Sequence, residues 1–165
     1  MQATTKEQAI RMTRGRATNL TPTTQFPERQ VVRDEESRLN ISVIFTSVDG
    51  TKAALRAAGT LANRLGARIT IVVPEVVPYH LPLNKPAVPQ DWNERRFRVM
   101  AAESPVDTTV RFYLCRDREE TLASNLKPHS LVVIGGKDRW WPTSESRLAG
   151  RLRRLGHEVI MAETE

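Results

Sequence analysis

A single cysteine, Cys115, among 165 residues excludes an intramolecular disulfide and would leave a cysteine-built zinc site without its second thiolate. A reducing compartment is the natural expectation. No apolar run approaches the roughly 20 residues needed to cross a bilayer, and none at the N-terminus has the length of a secretory signal, so a cytoplasmic protein is expected. Hydrophobic residues make up 39% of the chain. An average soluble protein, counted with glycine, has about 45 to 50%, which points to an ordinary core diluted by a polar segment.

Catalytic signatures are also missing. There is no Gly-x-Ser-x-Gly elbow, no Walker-type Gly-Lys-Thr and no Ser-Gly-Gly-x-Asp-Ser pyrophosphate loop, so hydrolase, phosphotransferase and adenylating readings lack a centre and a non-enzymatic protein is expected. His80, His129 and His157 are scattered without ligand spacing, which gives no metal site. The net charge of +6 permits attraction to nucleic acid or acidic membranes. No nucleic-acid-binding motif accompanies it.

What is present divides at about Arg38. Residues 1–38 mix Lys6, Arg11, Arg14, Arg16 and Arg29 with Glu7, Glu28, Asp34, Glu35 and Glu36, and carry Pro22 and Pro27. Such a segment has too little apolar surface to offset the entropy of ordering, so a disordered tail is expected, with at most a brief helix around Lys6 to Met12. Residues 39–165 read as one domain, of a size ordinary for a single core.

Within it, Ile41 to Val48 forms an apolar, β-branched run suited to a strand covered on both faces, ended by Asp49-Gly50-Thr51. Ala54, Ala58, Leu61, Ala62 and Leu65 recur at helical spacing, and Gly66 stands where a left-handed cap belongs. Arg68 to Val73 supplies the next strand. Pro74, Pro78, Pro82, Pro86 and Pro89 then favour a surface loop and argue against a central strand. Asp91 to Ala102 reads as a short helix burying Trp92, Val99 and Met100. Thr108 to Cys115 alternates like a strand exposed on one face or at an edge, with Cys115 a buried, inert thiol. Asp117 with Glu120 resembles a capping box for the next helix, which Pro128 stops. Leu131 to Ile134 is a buried strand with Gly135-Gly136 at its end, a helix follows from about Ser144, and Val159 to Met161 forms a last strand. This alternation predicts an α/β domain with a doubly wound, mainly parallel sheet of about five strands and helices on both faces.

In such sheets ligands bind beyond the carboxyl ends of the strands, where the strand order reverses. Val48-Asp49-Gly50-Thr51 at the first strand exit, Leu131-Val132-Val133-Ile134-Gly135 at the fourth and the Val159-Ile160-Met161 strand resemble the universal stress protein family, over Ile41 to Ala162. The resemblance implies a nucleotide site drawn from Asp49, Val73, Gly135, Gly136 and Ser146. Nucleotide-binding members carry Gly-x-x-Gly followed by Gly-Ser or Gly-Thr, because glycines let the backbone approach phosphates beside a helix N-terminus. Here Asp138 stands at the second glycine and Glu145 precedes Ser146, so carboxylates face the place of the phosphates and the loop is about three residues short. A degenerate site without a nucleotide is therefore expected, with retained ATP or AMP binding as the alternative. Asp49 either contacts adenosine or merely caps its helix.

Lys137, Arg139 and Arg147 offer basic compensation or are solvated surface. Trp140-Trp141 is either an interface contact or a cover over the sheet edge. Arg147, Arg151 and Arg154 share one helix face opposite the leucines, and solvated surface is preferred there over nucleic-acid binding. The resemblance also implies a homodimer through the last strand, around Val159, Ile160 and Met161, whose edge groups an identical chain can satisfy. An unknown protein partner is the further expectation, and no membrane contact.

Overall fold

Residues 12–15, 38–84, 90–137 and 142–164 are described by the computed structural model. Their elements run β1 (Met12–Gly15), β2 (Asn40–Ile44), α1 (Val48–Leu65), β3 (Arg68–Val76), α2 (Gln90–Ala102), β4 (Thr108–Cys115), α3 (Arg118–Asn125), β5 (Leu131–Gly136), α4 (Ser144–Arg154) and β6 (Glu158–Glu163). All pairings are parallel, in the order β1-β4-β3-β2-β5-β6. From β2 the chain winds one way to β3 and β4, then returns to β2's other side for β5 and β6. The switch point thus lies between β2 and β5.

Period-two alternation divides the core into two layers. Ile69, Ile71 and Val73 of β3 face Ala54, Ala58 and Ala62 of α1 and Phe97 and Met100 of α2. Val72 faces the opposite layer, with Ile44, Ile134, Leu122 of α3, and Leu148 and Leu152 of α4. Helices therefore cover both faces, as the unbroken apolar strands require. Local chemistry sets the ends: Gly66 takes φ 62° and its N–H donates to Ala62 O, while Asp117 Oδ1 accepts from Glu120 N at 2.8 Å as the expected N-cap of α3.

Several expectations are corrected. The first core strand stops at Ile44, not Val48, because Ser47 in extended conformation (φ −140°) accepts from Gly50 N at 3.0 Å and starts α1 at Val48. Asp49 consequently stands in the first helical turn and does not itself cap. Pro74 lies inside β3. Val72 O accepts from Phe45 N–H, so even-numbered residues of β3 turn toward β2, and β2 has left the sheet by the level of Pro74; its missing donor faces an open side.

Strand β4 is neither at an edge nor half-exposed as expected. It lies between β1 and β3, and Val110, Tyr113 and Cys115 are all buried, Tyr113 in the layer that holds Leu122. Strand β1 falls in the segment expected to be a disordered tail and pairs Met12 with Val110 through Gly15 with Tyr113. The remainder of that segment, residues 1–11 and 16–37, lies outside the described residues, with most of the expected Lys6 to Met12 helix; Met12 itself is in a strand. Trp92 and Val99 are 58% and 56% exposed, and Phe97 takes their expected place beside Met100, edge-on to Phe45 and Phe112. Gly135 and Gly136 belong to β5 itself, paired with Ala162 and Glu163. Among the described residues no helix is long and apolar enough to cross a membrane.

Candidate functional site

At the switch point the backbone of α1 is packed directly on the end of β5. A Cβ added to Gly135 would lie 1.7 Å from Gly50 O, and one added to Gly50 would lie 2.8 Å from Gly135 O. Only glycine at both positions permits this approach, which van der Waals repulsion from a Cβ would otherwise forbid. Thr46 Oγ1 donates to Gly135 O at 2.8 Å and locks the two segments together. The start of α1 and the end of β5 thus pack main chain against main chain at the switch point.

Above it sit two charges. Arg118, in the first turn of α3, reaches across to donate from Nη2 to Phe45 O at 2.7 Å, and its Nε is buried without a hydrogen-bond partner. Burial lowers its pKa, and Glu145 acts in the opposite direction. Glu145, in the first turn of α4, packs on Gly136, whose added Cβ would meet Glu145 Cβ at 3.2 Å. Burial pushes the Glu145 carboxyl up, but hydrogen bonds from its own N–H, Ser144 and Thr143, together with the Arg118 charge, outweigh this and hold it below the usual carboxylate range.

That depressed pKa has a sign in stability. Above the unfolded value of 4.5 both states carry the charge and its favourable contacts are present in full; as the pH falls through the folded value they are lost. Glu145→Gln is expected to flatten the acid limb of a urea-stability profile below about pH 4.5. An unchanged limb would remove the carboxylate from the network.

The sequence-derived candidates do not converge. Ser146 is exposed and committed to its cap: its N–H donates to Thr143 Oγ1 at 3.1 Å and its Oγ to Thr143 O at 2.9 Å. Asp49 is exposed on the outer side of α1, where it lines an open groove of about 420 Å³ with Lys52, Arg56, Ala162, Glu163 and Thr164. Val73 is buried in the layer beneath α1. Gly135 and Gly136 alone border the crevice, and Lys137 is exposed beyond them. Asp138, Arg139, Trp140 and Trp141 lie outside the described residues. Of the arginine face, Arg151 pairs with Glu119 at 2.7 Å, while Arg147 and Arg154 are exposed.

Two arginines escaped sequence reading. Arg118 stands at a helix N-terminus, where the macrodipole disfavours a cation, and that misplacement was the available signal that another group holds it. Arg116 donates from Nη1 to Val77 O at 2.7 Å and to Pro78 O, and from Nη2 to Leu81 O at 2.7 Å, with its guanidinium over the Tyr79 ring. It straps the proline-rich loop to the end of β4. Nothing local in the sequence announces the Arg116 contacts.

Comparison with families and curated proteins finds no match to any family model and no curated relative. Solved structures do match. A universal stress protein from Archaeoglobus fulgidus is 14% identical, with 80% of this chain and 98% of that one covered at a TM-score of 0.59. The universal stress protein UspA from Lactobacillus plantarum is 18% identical, over 77% of this chain and 99% of that one, at 0.52. A protein of the universal stress protein family from Burkholderia pseudomallei is 22% identical, over 76% and 96%, also at 0.52. The doubly wound parallel sheet, its switch point at Gly135 and these superpositions, which span nearly the whole of each neighbour, agree, and the chain has the universal stress protein fold.

Proposed function

We propose that this chain is a non-enzymatic regulatory module of the universal stress protein type, active in the cytoplasm, which works through self-association and protein contacts along β6 and no longer holds a nucleotide. The observation that carries this reading is the packing at the switch point: main chain against main chain at Gly50 and Gly135, with Arg118 tied to Phe45 O and Glu145 over Gly136. A triphosphate needs free amides and a positive field. Here the Glu145 carboxylate lies beside Gly136, and the Arg118 cation is engaged by Phe45 O and interacts with that carboxylate.

The edge strand supports the second half. Among the described residues β6 ends the sheet, with Val159 buried and Ile160 and Met161 partly buried, and an end strand is where a further strand can add. The competing reading, an ATP- or AMP-responsive switch, draws support from the unpartnered Nε of Arg118, a donor that a phosphate would satisfy if Glu145 swung away.

Calorimetric titration of ATP and AMP, with and without magnesium, separates the two. The expected result is no saturable heat up to millimolar nucleotide, together with a concentration-dependent dimer in sedimentation equilibrium. Saturable micromolar binding that disappears in Arg118→Ala would establish the switch instead.

A further inference from the structure

Helices α1 and α2 contribute to the same layer of the core, and the turn after α2 packs on α1 at Gly59, where an added Cβ would meet Pro105 Cγ at 3.3 Å. A cavity of about 150 Å³ remains between the first half of α1 and the end of α2. Its lining combines groups of different chemistry. Lys52 and Arg56, one turn apart on α1, supply two exposed cations. Glu103, just past the end of α2, supplies an exposed carboxylate. Leu55 and Met100, both buried, and Pro105 supply an apolar wall. None of the three charged side chains makes an ion pair among the described residues. Ser104 also lines the cavity; it is 7% exposed, and its Oγ is buried with no hydrogen-bond partner among the described residues. A buried hydroxyl left unpaired is unfavourable, so this one is a donor that an incoming acceptor would satisfy.

We propose that this cavity binds an apolar α-amino acid, with its carboxylate held by Lys52, Arg56 and the Ser104 hydroxyl, its ammonium by Glu103, and its side chain against Leu55, Met100 and Pro105. Other small ligands leave part of the lining unmet. Phosphate or sulfate would engage the cations but leave the apolar wall bare, and nothing on it would answer Glu103. A short fatty acid would cover the wall, yet it too lacks the ammonium that a carboxylate attracts. Pockets for drug-sized molecules run to about 300 to 1,000 Å³, so the smaller volume here suits a ligand of amino-acid size and not a nucleotide. An apolar wall with a few placed polar groups is also the usual division of labour in such sites, the wall giving affinity and the charges fixing orientation. No residue of the cavity takes part in the Gly50 to Gly135 packing, so the site stands whether or not the switch point holds a nucleotide. Lys52 and Arg56 also line the groove beside Asp49, and Glu103 and Ser104 are what set the two apart.

Titration of L-leucine into the isotope-labelled full chain, followed by amide chemical shifts, tests this. Saturable shifts are expected around Lys52 to Arg56 and Met100 to Ser104, with a Kd of roughly 0.1 to 1 mM, ordinary for so few atoms. Glu103→Gln and Ser104→Ala should each weaken binding about tenfold or more. Ser104→Ala should do so without lowering the melting temperature, because it removes an unpaired hydroxyl, and Asp49→Ala should bind as wild type does. Isocaproate, which is leucine without its ammonium, and isoamylamine, which is leucine without its carboxylate, should both bind about tenfold or more weakly than leucine. No saturable shift with L-leucine overturns the assignment, as does equal affinity for isocaproate or for inorganic phosphate. Binding that survives Glu103→Gln and disappears in Asp49→Ala would move the ligand to the larger groove and overturn it too.

Discussion

Gly135→Ala is expected to destabilise the domain by roughly 3 kcal/mol or more, at or beyond the upper end of overpacking substitutions. The added methyl would sit 1.7 Å from Gly50 O, and the obstructing atom is backbone at the start of an 18-residue helix, so no side-chain rotation relieves the clash. Either α1 shifts off β5, breaking the Thr46 to Gly135 hydrogen bond, or β5 loses its register with β2 and β6. Gly150→Ala is the internal comparison. A Cβ there meets nothing within 4 Å in the middle of α4, so it should stabilise by about 0.5 to 1 kcal/mol through helix propensity. Urea unfolding of the two variants reads both signs. A Gly135→Ala midpoint equal to wild type would mean that the close packing at the switch point does not exist in solution.

Leu122→Ala should be of similar size, roughly 2 to 5 kcal/mol, the range for emptying a buried leucine site. Leu122 is fully buried and is the one buried residue of α3, an eight-residue helix too short to persist without its packing. Its loss has a consequence at the crevice, because α3 carries Arg118 to Phe45 O. Thermal unfolding measures the first effect. The second would appear as faster hydrogen exchange across α3 than across α4, whose anchors Leu148 and Leu152 are untouched. Uniform acceleration of both helices would show that Leu122 supports the whole layer and not α3 in particular.

Several elements were legible because their causes are local. Gly66 as a left-handed cap, Asp117 as an N-cap and the helix from Ser144 each depend on residues within one turn, so spacing alone identifies them. Strands β2, β3 and β5 announced themselves by continuous β-branched runs, the mark of a strand covered on both faces. The strand end before Asp49 was misjudged for a related reason: Val48 is apolar and β-branched, yet Ser47 one residue earlier caps the helix, and a cap outweighs the strand preference of a single residue. Tyr113 and Trp92 were misjudged because burial depends on which helix lies opposite. Both look alike in the sequence, but Tyr113 lies in the layer of α3, whereas Trp92 meets the Arg96 guanidinium and stays largely exposed.

The sequence by itself determined the alternation of strands and helices, the parallel two-layered core and the presence of Gly135 at the switch point, since each follows from periodicity and short-range chemistry. Tertiary structure alone decided what occupies that point. Phe45 and Arg118 are 73 residues apart, Thr46 and Gly135 are 89 apart, and their meeting depends on winding that places β2 between β3 and β5. The same winding turned Asp49 toward the outer groove of α1, spent Ser146 on a helix cap and brought Arg153 over the edge of β6. Local pattern can nominate such residues, but the direction a side chain takes is set by the strand order and helix packing around it.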